Sequence, residues 1–218
     1  MTATAGVVLA GGRSSRMGTQ KAALDWHGRT LLFRTVSVLA AATGGPVVVV
    51  RAAGQPLPRL PRATIVAEDP REGKGPLQGI AAGLAALAAL DGAPAEQSGQ
   101  AAFAAATDMP FLHAAFVRRV LALLAEDQAD VALPVARGYA QPLAAGYRVA
   151  LATAADQLVA AGRLRPADLF ASCAVTRLDE ARLLADPALA RADPDLDSLV
   201  NVNDPAEYAA ALARAAPD

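Results

Sequence analysis

The sequence predicts an α/β fold with a mostly parallel β-sheet covered by helices on both faces. Three observations predict it. Short apolar runs alternate with helix-like segments along the whole chain, the pattern of strands joined by crossover helices. The runs are nearly all apolar, as strands buried on both faces must be. Hydrophobic residues make up 54% of the chain but aromatics only 4%, so Val, Leu and Ala must build the core. The abundant alanine also makes helix cheap.

The elements follow in order. Gly6-Val7-Val8-Leu9-Ala10 reads as a buried strand feeding a Gly11-Gly12 loop. Thr30 is placed to cap a helix over Leu31, Leu32, Val36 and Leu39. Pro46–Val50 and Ala63–Ala67 read as strands, the second ending at Glu68-Asp69. Arg71–Gly75 is a polar loop, and Pro76 opens an alanine-rich helix toward Leu90. Ala101–Thr107 is a small-residue strand, followed by a helix through Phe116, Val120 and Leu124. Val131–Val135 and Leu143–Tyr147 read as strands, Val149–Ala160 and Pro166–Ala171 as helices, and Ala174–Leu178 as a strand. Arg177–Pro194 mixes charge with Ala and Leu and shows no clear period. Asp204 caps a last helix, with Pro205 in its first turn and Glu207 in capping-box position.

The 218 residues suit one domain, 1–218. A net charge of −1 argues against binding nucleic acid through bulk charge. The lone Cys173 leaves no internal disulfide. The apolar run Ala5–Ala10 is too short for a secretion signal, and Ile80–Leu90 is too short to span a bilayer. The expectation is a cytoplasmic protein, without membrane attachment.

In an open parallel sheet, ligands bind beyond the carboxyl ends of the strands. The residues expected there are Gly11, Gly12, Arg13, Ser14, Ser15, Arg16 and Lys21, then Asp69, Asp108, Asn201 and Asn203, with Arg51 and Gln55 after the second strand. Glycines let backbone N–H groups approach an anion. Arg16 can grip phosphate oxygens with its fork, and Lys21 acts as a point charge. The loop suits a triphosphate but has neither the Walker A nor the dinucleotide-binding spacing. A plain glycine turn with solvated basic residues is the other reading.

Asp108, directly after a strand, can bind Mg²⁺ or cap the helix beginning near Pro110. Asn201 and Asn203 would share one side of a strand. Asn203 then either helps ligate the metal or supports a turn. Gly75-Pro76-Leu77-Gln78-Gly79 begins a helix whose free N–H groups can meet a base edge or an anion, or it is an ordinary loop-to-helix junction. Cys173 reads as a small buried residue. His27 and His113 lack metal-ligand spacing. Arg163 and Arg165 either bind a second anion or are solvated.

Four ordered pieces resemble the MobA-like nucleotidyltransferase family, over Val7 to about Leu212. They are Leu9-Ala10-Gly11-Gly12 with Arg16-Met17-Gly18 and Lys21; Asp69 with Gly75-Pro76-Leu77-Gln78-Gly79; Asp108-Met109-Pro110; and Asn201-Val202-Asn203 with Pro205. The resemblance implies a three-layer Rossmann-like fold. It implies Mg²⁺-dependent transfer of GMP from GTP to molybdopterin, releasing pyrophosphate and giving the guanine dinucleotide cofactor. By the same resemblance Leu9, Ala10, Gly11, Gly12, Arg16, Lys21, Asp69, Pro76, Leu77, Gly79 and Asp108 would meet the nucleotide. Asp108 would bind the metal, with Asn203 as a weaker partner, and Arg16, Lys21 and Asp108 would carry catalysis. Transient contact with molybdoenzyme maturation proteins is implied as well. Family members often carry an asparagine after the second strand, where this chain has Arg51-Ala52-Ala53, so no contact is carried over there. The region 151–198 matches poorly. The competing readings are a cytidylyltransferase on the same pterin, a sugar-phosphate nucleotidyltransferase, and a nucleotide-binding module without catalysis.

Overall fold

The computed structural model of the chain describes residues 3–11, 21–69, 75–92 and 94–215. In chain order the strands are β1 (Thr4–Leu9), β2 (Asp25–Trp26), β3 (Arg29–Thr30), β4 (Val47–Ala52), β5 (Ile65–Asp69), β6 (Ala101–Ala106), β7 (Val131–Ala136), β8 (Tyr139–Ala140), β9 (Ala144–Arg148) and β10 (Val175–Leu178). The helices are α1 (Leu31–Thr43), α2 (Pro76–Asp91), α3 (Ala114–Glu126), α4 (Ala152–Ala160), α5 (Pro166–Phe170), α6 (Glu180–Leu184), α7 (Pro187–Ala192) and α8 (Pro205–Arg214).

The main sheet has the order β10-β7-β9-β6-β1-β4-β5, with β8 paired to β7. β1 lies between β4 and β6 and is parallel to both. The pairs β4–β5 and β7–β10 are also parallel, and only β8 and β9 run against their neighbours. The mostly parallel expectation therefore holds. The direction of β9 follows from its short connection to β7 through β8, since only an antiparallel partner can follow without a crossover.

Alternation along β1 shows why both faces need cover. Val8 enters the core shared with Leu32 and Leu39 of α1 and Phe116 and Val120 of α3. Val7 faces the opposite core, with Ile80, Leu84 and Leu87 of α2 and Ala155 of α4. The result is a three-layer sandwich. α2 approaches β1 very closely: a Cβ on Gly83 would lie 2.3 Å from Val7 Cγ1, and one on Gly79 2.6 Å from Leu9 Cδ2. The two glycines stand four apart on one helix face, where bare backbone lets helix meet strand.

Several boundaries differ from expectation. The segment 21–30 is a 3-10 turn at Lys21–Ala23 followed by the β2–β3 hairpin. Two-residue strands carry no detectable period. Arg177–Pro194 resolves into the end of β10 and two short helices, capped by Asp179 and Asp186. Asn201–Asn203 is not a strand, contrary to the sequence reading. Buried Val202 donates its N–H to Asp108 O at 2.9 Å, while both asparagines are exposed. No helix among the described residues is long and apolar enough to cross a membrane.

Candidate active site

The site gathers at the carboxyl ends of β1, β5 and β6. β1 delivers its loop by tying off both of its last carbonyls. Thr107 Oγ1 donates to Leu9 O at 2.8 Å, and Gln55 Nε2 donates to Ala10 O at 3.0 Å. Gln55 Oε1 in turn accepts from Ala52 N, so one side chain staples the loop to the end of β4. Gly11 follows, and a Cβ there would lie 3.4 Å from Ala52 N. Gly12 and Arg16, together with Arg13, Ser14 and Ser15, lie outside the described residues.

Lys21 joins β6 to the C-terminal segment. Its Nζ donates to Asp108 Oδ2 at 2.7 Å and to Asn203 Oδ1 at 3.2 Å. Three residues separated by up to 182 positions thus converge on one cationic nitrogen. Asp108 does not cap a helix: α3 begins at Ala114, and His113 Nδ1 accepts from Ala115 N at 3.2 Å as its cap. The cap reading of Asp108 is therefore replaced by an ion pair. The Lys21 and Asp108 side chains are 21% and 20% exposed, enough for a ligand to reach them. Asn203 is held in turn, because its N–H donates to Glu207 Oε2 at 2.7 Å. In the expected capping box Glu207 would accept from Asp204 N; it reaches one residue further back. Asp204 Oδ1 accepts from Ala206 N and Glu207 N.

The second half of the site lies across β1. Asp69 ends β5, and its Oδ1 accepts from Gln78 Nε2. Gln78 is only 3% exposed, and its Oε1 has no hydrogen-bond partner among the described residues. Gly75 precedes α2 at φ +83, and a Cβ there would lie 3.2 Å from Leu164 O, so both torsion and space call for glycine. Pro76 is exposed and has no N–H to offer. Leu77 is fully buried in the core, which leaves only its backbone for a ligand. Gly79 is placed primarily by packing against Leu9.

Other sequence candidates are committed elsewhere. Arg51 pairs with Glu68 at 2.8 Å and donates to Gln55 O, so it braces the β4–β5 edge. Arg163 and Arg165 both lie within ion-pair distance of Asp168, at 3.4 and 3.7 Å. Cys173 is half-buried, and burial first, then the charge of Asp130, pushes its thiol up to about 11. Its thiolate is therefore scarce at neutral pH. Alkylation of native protein by iodoacetamide at pH 7.5 is expected to run at least about tenfold slower than that of the unfolded chain. Comparable rates would contradict this placement.

The arrangement can hold a cation against oxygen ligands. Asp108 Oδ2 and Asn203 Oδ1 already point at one shared positive group, and hard oxygen donors of this type suit Mg²⁺. No cluster of three or more His, Cys, Asp or Glu is arranged to hold a metal among the described residues. The functional supports missing from the sequence reading are the Thr107, Gln55 and Val202 hydrogen bonds and the Gln78 anchor. Gln78 had a visible signal, since it stands inside the Gly75–Gly79 motif, whereas backbone bonds leave none.

Gly11, a lysine, a carboxylate and an amide at the carboxyl edge of such a sheet suit the binding of a nucleotide's phosphates and a divalent cation. The chain belongs to the family described as the MobA-like NTP transferase domain, whose model matches residues 6–178. A Mycobacterium bovis protein named "Probable molybdenum cofactor guanylyltransferase" is 41% identical over 160 residues, covering 72% of this chain and 74% of its own. The crystal structure of molybdopterin-guanine dinucleotide biosynthesis protein A from Archaeoglobus fulgidus superposes with a TM-score of 0.68 at 19% identity, covering 96% of this chain and 97% of the other. The 2-C-methyl-D-erythritol 4-phosphate cytidylyltransferase of Thermus thermophilus shares the fold at TM-score 0.60 and 19% identity, covering 98% of each chain.

Proposed function

We propose that the chain, acting as one domain over residues 1–218, transfers GMP from GTP to molybdopterin in a Mg²⁺-dependent reaction. The observation that carries this reading is the convergence of Lys21, Asp108 and Asn203 on one point. The name of the M. bovis relative directs the choice of nucleotide and acceptor. Gly11 and Gly12 would cradle the triphosphate with backbone N–H groups, while Leu9 and Ala10, the latter with its N–H given to Val50 O at 2.8 Å, would set the position of that loop against the nucleotide. Asp69, steadied by Gln78, would meet the nucleoside, alongside Pro76, Leu77 and Gly79.

In the reaction an oxygen of the acceptor phosphate attacks the α-phosphorus of GTP. The bond from that phosphorus to the bridging α–β oxygen breaks, and pyrophosphate leaves with the electron pair. No protein nucleophile is required. Asp108 and Asn203 would hold Mg²⁺, which supplies Lewis-acid polarisation of the phosphate oxygens when bound. Lys21 would exchange its hold on Asp108 for the phosphates and balance the charge gathering on pyrophosphate. Arg16 would serve the same end with its fork. Positioning the two phosphates in line supplies much of the remaining rate.

Titration of the protein with MgGTP and with MgCTP tests the nucleotide. Tighter binding of MgGTP is expected. Preference for MgCTP would replace this reading with a cytidylyltransferase, a chemistry that the T. thermophilus neighbour's name carries.

A further inference from the structure

The connection from β7 through β8 to β9 runs along the same edge as the site. β9 is antiparallel to both β6 and β7, so β7 points the same way as β6 and also ends at the carboxyl edge. Leu143 O accepts from Ala106 N at 3.1 Å, which sets the last part of this connection against the strand end that leads to Asp108. β7 lies two strands from β6, about 10 Å in the hydrogen-bonding direction. That is the reach of a small bicyclic molecule whose other end lies at Asp108.

The backbone of this connection is firmly held. Arg137 and Gly138 form a two-residue turn with φ of 52 and 80, the pair of positive values typical of a tight hairpin. Arg137 N donates to Glu180 Oε1 at 3.1 Å, Gln141 N to Pro134 O at 2.9 Å, and Tyr147 OH to Pro142 O at 2.7 Å. Its side chains are the opposite. Those of Arg137, Tyr139 and Gln141 make no hydrogen bond, ion pair or ring contact with the described residues. Tyr139 is 74% exposed, more than any other large apolar side chain described. A rigid scaffold thus presents an aromatic face, a planar cation and an amide beside a phosphate-transfer centre.

We propose that Tyr139, Gln141 and Arg137 form the subsite for the acceptor, and that its ligand is a flat, nitrogen-rich heteroaromatic ring of the pterin type. The inference rests on the transferase reading above. The Tyr139 ring stacks on the heterocycle. The Gln141 amide offers one donor group and one acceptor, which match the mixed donor and acceptor edge of a pterin. Arg137 adds a planar cation that stacks or hydrogen-bonds.

The test compares Tyr139→Ala, Tyr139→Phe and Gln141→Ala with the unmodified protein. Pyrophosphate release is followed while molybdopterin is varied at saturating MgGTP. Binding of fluorescent 6-carboxypterin is titrated separately. Tyr139→Ala is expected to raise the acceptor KM and the 6-carboxypterin Kd at least about fivefold, the low end for removing a stacking platform. Tyr139→Phe, which keeps the ring, should stay within about twofold. The GTP KM and the Tm should not move. An unchanged acceptor KM and Kd in Tyr139→Ala, or an equal rise in the GTP KM, would overturn the subsite. If no nucleotide yields pyrophosphate, the transferase reading falls and the titration still decides: loss of 6-carboxypterin binding in Tyr139→Ala upholds the subsite, and no binding by the unmodified protein removes it.

Discussion

Asp108→Asn is expected to lower pyrophosphate release from MgGTP and molybdopterin by at least about a hundredfold, the scale of losing one electrostatic stabiliser. The change is nearly isosteric, so packing around Met109 and Thr107 stays intact. What disappears is the carboxylate charge that holds Lys21 Nζ at 2.7 Å. Asparagine can still ligate through its carbonyl oxygen, but without the negative charge that draws a divalent cation. The backbone bond from Val202 N to Asp108 O is untouched by the substitution, so Asn203 should keep its place. The signature is therefore lost turnover and a higher Mg²⁺ requirement with a Tm close to the original. Near-normal turnover at saturating Mg²⁺ would remove Asp108 from the mechanism.

Gly83→Val is expected to destabilise the fold by roughly 2 kcal/mol, in the range for overfilling a packed interior. Its Cβ alone would fall 2.3 Å from Val7 Cγ1, 3.1 Å from Val7 Cγ2 and 3.3 Å from Val50 Cγ2. Both obstructing side chains are β-branched and stiff at χ1, and both are buried in β1 and β4. Neither can swing away, so α2 must lift from the sheet. Lifting α2 also moves Gln78 away from Asp69, and nucleotide binding should weaken along with stability. Thermal unfolding followed by circular dichroism reads the first effect and MgGTP titration the second. An unchanged Tm would show that α2 tolerates the added volume.

Much of this site could be read before any coordinates. Lys21, Asp69, Asp108 and Asn203 stand next to apolar runs or inside motifs, and strand ends in a parallel sheet share an edge by construction. The competing roles of Asp108 could not be separated in the same way. A carboxylate before a helix looks the same whether it caps the helix or pairs with a lysine 87 positions away. His113 took the cap because α3 starts later than Pro110 suggests. The antiparallel course of β9 is not written in its own residues, since a strand buried on both faces looks alike in either direction. The β2–β3 hairpin and β8 are too short for periodicity to register. Gly79 was legible only as part of a nucleotide motif, and its closeness to Leu9 belongs to the helix–strand distance.

The most direct measurement is pyrophosphate release with each of the four nucleoside triphosphates, with and without molybdopterin, in the presence of Mg²⁺. The account predicts release from GTP that depends on the pterin and is lost when the metal is chelated. Release from GTP without any acceptor, or release only when a sugar phosphate replaces the pterin, would contradict it.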